Sequence, residues 1–193
     1  MLLLIAFAGA LAEFELGAGL ARSLEPLYYS DDGYPTAAAL YGRLAIDLPD
    51  HLSAGVGFVV IPGREASKDL PCCGSNSGAA AFKAAAGFAL LRLHTAGDLQ
   101  LWAEAGAGPG HLISLQENNS FEHPPLRGHS GPAFLIATGV RFRHAGWLYG
   151  AGLSWLHWTR VEQAENAGCC IRPAQFGLST SALLVLLTIG YSP

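Results

Sequence analysis

Charge is what this chain has least of. Only 13% of its 193 residues are Asp, Glu, Lys or Arg, about half the ~25% usual in a soluble domain. Disordered chains need high charge and few apolar groups; this one is 51% apolar. It is equally short of the solvating groups that a cytosolic enzyme carries on its surface. Lys/Arg clusters are lacking and the formal net charge is −4, so the basic footprint of a nucleic-acid binder is missing. Long apolar runs are lacking too. Leu2–Ala12 and Ala182–Leu187 both fall short of the ~18–20 residues that a spanning helix needs. With a mean hydropathy of +0.31 and no helix to span a bilayer, one membrane architecture is left, a closed β-barrel.

What the chain does have is alternation. In Glu13–Ser23 one face holds Glu13, Glu15, Gly17, Gly19, Ala21 and Ser23, the other Phe14, Leu16, Ala18 and Leu20. The same period of two recurs in Ala38–Leu48, Ser53–Ile61, Ala81–Leu93, Asp98–Ile113, Ala133–Arg143, Trp147–Arg160 and Leu178–Tyr191. Eight such segments of roughly ten residues match the strands of a membrane barrel. Connections alternate as well. Pro49–His51, Thr95–Gly97 and His144–Gly146 are short; Glu25–Pro35, Gly63–Gly78, Gln116–His129 and Glu162–Phe176 are long. The expectation is an all-β, eight-stranded, antiparallel up-and-down transmembrane barrel with a polar interior filled by side chains.

The more polar face carries Glu13, Glu15, Asp47 and Glu104 against Arg43, Arg92, Arg141 and Arg143. Equal numbers of each sign suit a desolvated interior in which charges pair. Strand adjacency points to Glu15 with Arg43 and Glu104 with Arg141. On the apolar face Trp147, Tyr149 and Tyr191 fall at one end and Trp155 higher up, the arrangement of an aromatic belt at a bilayer interface. A soluble lipocalin-type barrel would reverse the faces, and the polar face is too thin to meet water.

Together these features resemble the small eight-stranded outer-membrane barrels of Gram-negative bacteria, the OmpA/OmpX-like group. The resemblance covers Glu13 to Pro193 and rests on the strand pattern, the loop alternation and the C-terminal strand Leu183–Tyr191. It implies localisation in the bacterial outer membrane, with outer-membrane lipid, the barrel assembly machinery and an extracellular ligand or surface partner as its partners. The group usually ends in an aromatic that the assembly machinery reads; here the end is Gly190-Tyr191-Ser192-Pro193. Met1–Ala12, closing on Ala10-Leu11-Ala12, reads as the apolar stretch and cleavage site of a signal peptide without its basic start. Residues 13–193 then form a single barrel domain.

Chemistry-bearing motifs are few. Cys72-Cys73 and Cys169-Cys170 lie in two long loops. In an exported chain they are disulfide candidates, with inter-loop bridges preferred over strained vicinal ones. Free thiols remain open, and a four-Cys zinc site fits poorly because adjacent cysteines suit a tetrahedron badly. His51, His94 and His144 sit in separate short turns, better explained by interfacial solvation than by a metal. His157 invites comparison with lipid A deacylases, but the Ser-Asn that follows their histidine is missing from His157-Trp158-Thr159-Arg160, so no catalytic residue is assigned. No cofactor motif is present: each G-x-G lies in a strand and lacks a third glycine. The expected function is a structural or surface-interaction role carried by long external loops, two of them disulfide-linked. The alternatives are a membrane-embedded lipid-modifying hydrolase and a narrow gated conduit.

Overall fold

Alternating residues can bury one face only if the sheet curls on itself, and this one does. The computed structural model describes residues 12–24, 36–63, 65–70, 76–118, 128–159 and 179–193. The strands are β1 (Ala12–Ser23), β2 (Thr36–Leu48), β3 (Leu52–Ile61), β4 (Glu65–Leu70), β5 (Asn76–His94), β6 (Leu99–Asn118), β7 (Gly128–His144), β8 (Trp147–Thr159) and β9 (Ser179–Tyr191). The sheet order is β3-β2-β1-β9-β8-β7-β6-β5-β4, and the added β3–β5 pairing closes it. Every pairing is antiparallel. β3 and β4 are successive halves of one stave, so the barrel has eight staves.

That broken stave corrects the expectation of a long loop over Gly63–Gly78. Ile61 pairs with Ala84 and Glu65 with Ala81, so this stave has one residue more between the two pairs than β5 has. The extra residue makes a β-bulge. Gly63 takes the positive φ of 102° that such a bulge asks of glycine. Beyond it β4 and the start of β5 form a hairpin where a loop was expected. β6 and β7 likewise run further, to Asn118 and from Gly128, into the expected loop Gln116–His129.

At the opposite end the connections are tight. Ala145 and Gly146, with φ of 50° and 83°, join β7 to β8 with the twist that a two-residue hairpin prefers. Asp50 and His51 also take positive φ, 64° and 62°, in the β2–β3 turn.

The outer wall is apolar. Leu16, Leu44, Val56, Leu101, Ile136, Val185 and Leu187 are all exposed, and no helix of the described residues is long and apolar enough to cross a membrane. The wall meets the requirement of a bilayer, with backbone groups tied between strands and apolar side chains outside. Inside, the lumen has two layers. Towards the tight turns lie the buried charges Glu13, Glu15, Arg43, Arg92, Glu104 and Arg141. Towards the loops lies a buried apolar cluster that includes Val59, Ile61, Phe88, Leu135, Leu156 and Leu184. Among the described residues the buried charges are thus confined to the turn-end half.

Candidate functional site

Eight staves leave a lumen just wide enough for side chains to fill. Six charged ones fill its turn-end half. Glu13 and Glu15 come from the start of β1, Arg43 from the lower part of β2, Arg92 from the end of β5, Glu104 from β6 and Arg141 from the end of β7. Period-two spacing turns each of them inward.

The contacts differ from those expected of neighbouring strands. Glu15 and Arg43 stand opposite each other in register, yet Arg43 reaches Glu13 through Nη1 and brings Nε to 3.0 Å from Glu104 Oε2. That second contact is one of charge, since Nε is not aimed at the oxygen for a hydrogen bond. Arg92 donates from Nη1 to Glu15 Oε2 at 2.7 Å and from Nε to Glu104 Oε2 at 3.0 Å. Arg141 donates from Nη1 to Glu13 Oε1 at 2.6 Å and from Nε to Gln100 Oε1, also at 2.6 Å. Arg92 and Arg141 thus bond across the lumen, and Arg43 makes a charge contact across it, rather than each taking only the partner expected from strand order. Long side chains in a narrow cylinder can span its width, so diagonal partners compete with adjacent ones.

Neutral groups complete the layer. Tyr41 Oη donates to Glu104 Oε1 at 3.0 Å, Arg43 Nη2 donates to Ser53 Oγ, and Arg92 Cζ lies 4.2 Å from the centre of the Trp102 ring. Three carboxylates face three guanidiniums, so the layer is neutral. Removing one partner of such a buried set leaves an uncompensated charge, a far larger penalty than the loss of an exposed pair. All six charged side chains are buried, so the layer packs the turn-end half of the lumen.

Elsewhere the structure sorts the other residues singled out by sequence. Trp147 and Tyr191 meet edge to face at 5.5 Å on the outer wall at the turn end, with Tyr149 exposed on the same face. Trp155 stacks on His157 at 5.1 Å. His51 and His94, from separate turns, come together at 5.8 Å, with His94 Nε2 4.0 Å from Asp47 Oδ1. His144 instead stacks on Phe142. Among the described residues no three potential ligands gather around a metal position. Cys72, Cys73, Cys169 and Cys170 lie outside the described residues.

Two polar pairs escaped sequence reading. His157 Nδ1 lies 2.8 Å from Ser181 Oγ, and His111 Nδ1 lies 2.8 Å from Ser130 Oγ. In both, the partners stand directly opposite on adjacent strands and at outward positions. Ser181 supplies His157 with the hydroxyl that the local sequence lacks. Among the described residues, however, the ring's contacts are Ser181 and Trp155, with no carboxylate to orient it as a triad requires. Only the strand register could have revealed these pairs.

No family profile and no curated protein matches the chain. Among solved structures it is similar to Neisserial surface protein A, at 10% identity over 94% of this chain and 97% of that one, with a TM-score of 0.60. It also aligns with the attachment invasion locus protein Ail of Yersinia pestis, at 14% identity over 94% and 97% of the two chains, with a TM-score of 0.49. Outer membrane protein OprG of Pseudomonas aeruginosa aligns at 11% identity over 94% and 96%, with a TM-score of 0.46. Shared architecture with Neisserial surface protein A, the closed cylinder and its apolar wall together give this chain the fold of a small eight-stranded outer-membrane barrel.

Proposed function

We propose that this protein is a bacterial outer-membrane barrel that does not conduct, and that it serves as a rigid stand for external loops with a structural or surface-binding role. The observation that carries this reading is the buried charge layer. Arg43, Arg92 and Arg141 cross the lumen to Glu13, Glu15 and Glu104, and an apolar plug sits above them. A conduit would need water and mobile charge along that axis. With the lumen closed, contact with the outside falls to the loops, including Glu25–Pro35 and Glu162–Phe176. Outer-membrane lipid holds the apolar wall, the barrel assembly machinery reads Tyr191 near the C-terminus, and a surface partner binds the loops.

The test has two arms. Cell fractionation should place the protein in the outer membrane, and the unboiled protein should migrate differently on a gel from the boiled one. Refolded protein in a planar bilayer should give no stepwise conductance. Steady ohmic channels would overturn the sealed reading, and an unshifted band in the soluble fraction would overturn the barrel reading. The contact between His157 and Ser181 keeps one second reading in view, a hydrolase acting on lipid esters. Mass spectrometry of membrane lipids from cells expressing the native protein or Ser181→Ala should show identical acylation; a difference would favour the enzyme.

A further inference from the structure

The outer wall is not evenly studded. Alternation places Ala85 and Gly87 of β5, and Ala107 and Pro109 of β6, on the outward face. On either side stand bulky residues, Phe58 of β3 and Phe134 of β7, both exposed. Between those two rings runs an open groove of about 940 Å³, within the ~300–1,000 Å³ range of small-molecule sites. Gly87 is part of its floor. A Cβ added there would meet only Gly57 O, at 4.0 Å, so the space above it is unoccupied by protein.

Two independent features coincide with the groove. The first is a weakness in the hydrogen-bond ladder. β5 and β6 pair as far as Ala86 with Gly110 and resume at Ala89 with Ala107, skipping the positions of Gly87 opposite Pro109 and Phe88 opposite Gly108. Pro109 has no N–H to donate, and its partner on β7 is another proline, Pro132. Prolines are ordinarily kept out of sheet interiors; here two neighbouring strands lose a donor side by side. The second feature is a polar end. Towards the loops the groove is lined by His111 and Ser130, the bonded pair at 2.8 Å. Lys83 lies two residues above Ala85 on the same face, its stem over Gly63.

We propose that the groove is a lipid-binding site that takes one acyl chain of an anionic phospholipid. The chain lies over Gly87 between Phe58 and Phe134, and the phosphate meets His111, Ser130 and Lys83. This rests on the membrane-barrel reading, because hydrocarbon is what bathes this wall in a bilayer. The polarity of the groove sets the orientation of the lipid, with small apolar groups along its length and the hydrogen-bonding pair His111 and Ser130 at the loop-ward end.

Native mass spectrometry of the refolded full-length barrel, released from detergent after adding phosphatidylglycerol or phosphatidylcholine of the same chain length, tests this. The wild type should retain one phosphatidylglycerol, favoured about tenfold over phosphatidylcholine, equivalent to ~1.4 kcal/mol. Gly87→Trp fills the groove and should abolish the adduct, and Ala107→Leu should reduce it. Ala151→Trp, outward on β8 away from the groove, should keep it. The double variant His111→Ala/Ser130→Ala should lose the preference for phosphatidylglycerol. Equal retention by the wild type and both groove-filling variants would overturn the site; equal retention of the two lipids by the wild type would overturn the headgroup assignment. The gel shift on boiling, read on every variant, reports barrel closure separately, so loss of the fold is not mistaken for loss of the site.

Discussion

Arg92 Nη1 lies 2.7 Å from Glu15 Oε2, bridging 77 positions of sequence and the width of the lumen. The same guanidinium holds Glu104 through Nε, so one cation serves two buried carboxylates.

Replacing it as Arg92→Met should therefore destabilise the barrel by about 3–5 kcal/mol, the usual cost of stranding a buried charge. Urea unfolding in lipid vesicles measures the change. Adding Glu15→Gln should recover part of the loss, because partners in one network do not act additively. A loss below ~1 kcal/mol would mean that the layer behaves like an exposed pair.

The direction in which the wall faces can be tested with single charges. Leu187 is 69% exposed and stands four residues above Tyr191 on β9. Leu187→Arg should cost about 2–4 kcal/mol, whereas Leu99→Arg, at the turn end of β6, should cost about 0–1 kcal/mol. Equilibrium unfolding in vesicles distinguishes the two. Similar small costs at both positions would mean that water, not lipid, covers the wall.

Glycines in the wall are not interchangeable. A Cβ at Gly19 would collide with the backbone carbonyl of Val185, and backbone cannot swing aside as a side chain can. Gly19→Ala should destabilise by about 1–3 kcal/mol. Gly87→Ala should be close to neutral, since the one atom near its added Cβ, Gly57 O at 4.0 Å, is at ordinary contact distance. Midpoints of thermal loss of the gel shift rank the two variants.

The four cysteines carry a proposal of their own. If Cys72 and Cys73 are bridged to Cys169 and Cys170, protein recovered from the outer membrane and unfolded without reductant should titrate with no free thiol. Peptides containing residues 72–73 should then be found joined to peptides containing 169–170. Four reactive thiols would exclude the bridges.

Much of the fold was legible because a strand repeats every two residues, which fixes the face of each side chain from sequence alone. Glu13, Glu15, Arg43, Arg92, Glu104 and Arg141 all read as inward, and all are buried. Their partners were not legible. Who meets whom depends on the stagger of strands around the cylinder, which alternation does not encode. The hairpin of β4 with β5 was missed because Gly78-Ala79-Ala80-Ala81 offers no contrast between faces. The groove was silent for the same reason: Ala85, Gly87 and Ala107 show up only through the larger residues beside them. His111 with Ser130 and His157 with Ser181 lie 19 and 24 positions apart, and no local motif joins them.

The bond from Arg141 to Glu13 spans 128 positions, tying the first strand to the seventh, so it cannot form until the growing sheet has curled round. A half-built sheet would present its guanidiniums and carboxylates on an open concave surface, where water must still solvate them. Arg92 can meet Glu104 on the neighbouring strand beforehand, but the bonds from Arg92 to Glu15 and from Arg141 to Glu13 arrive only when the cylinder closes. These cross-lumen bonds therefore act as a completion latch: they add nothing to an unfinished ribbon and their full contribution to a closed ring.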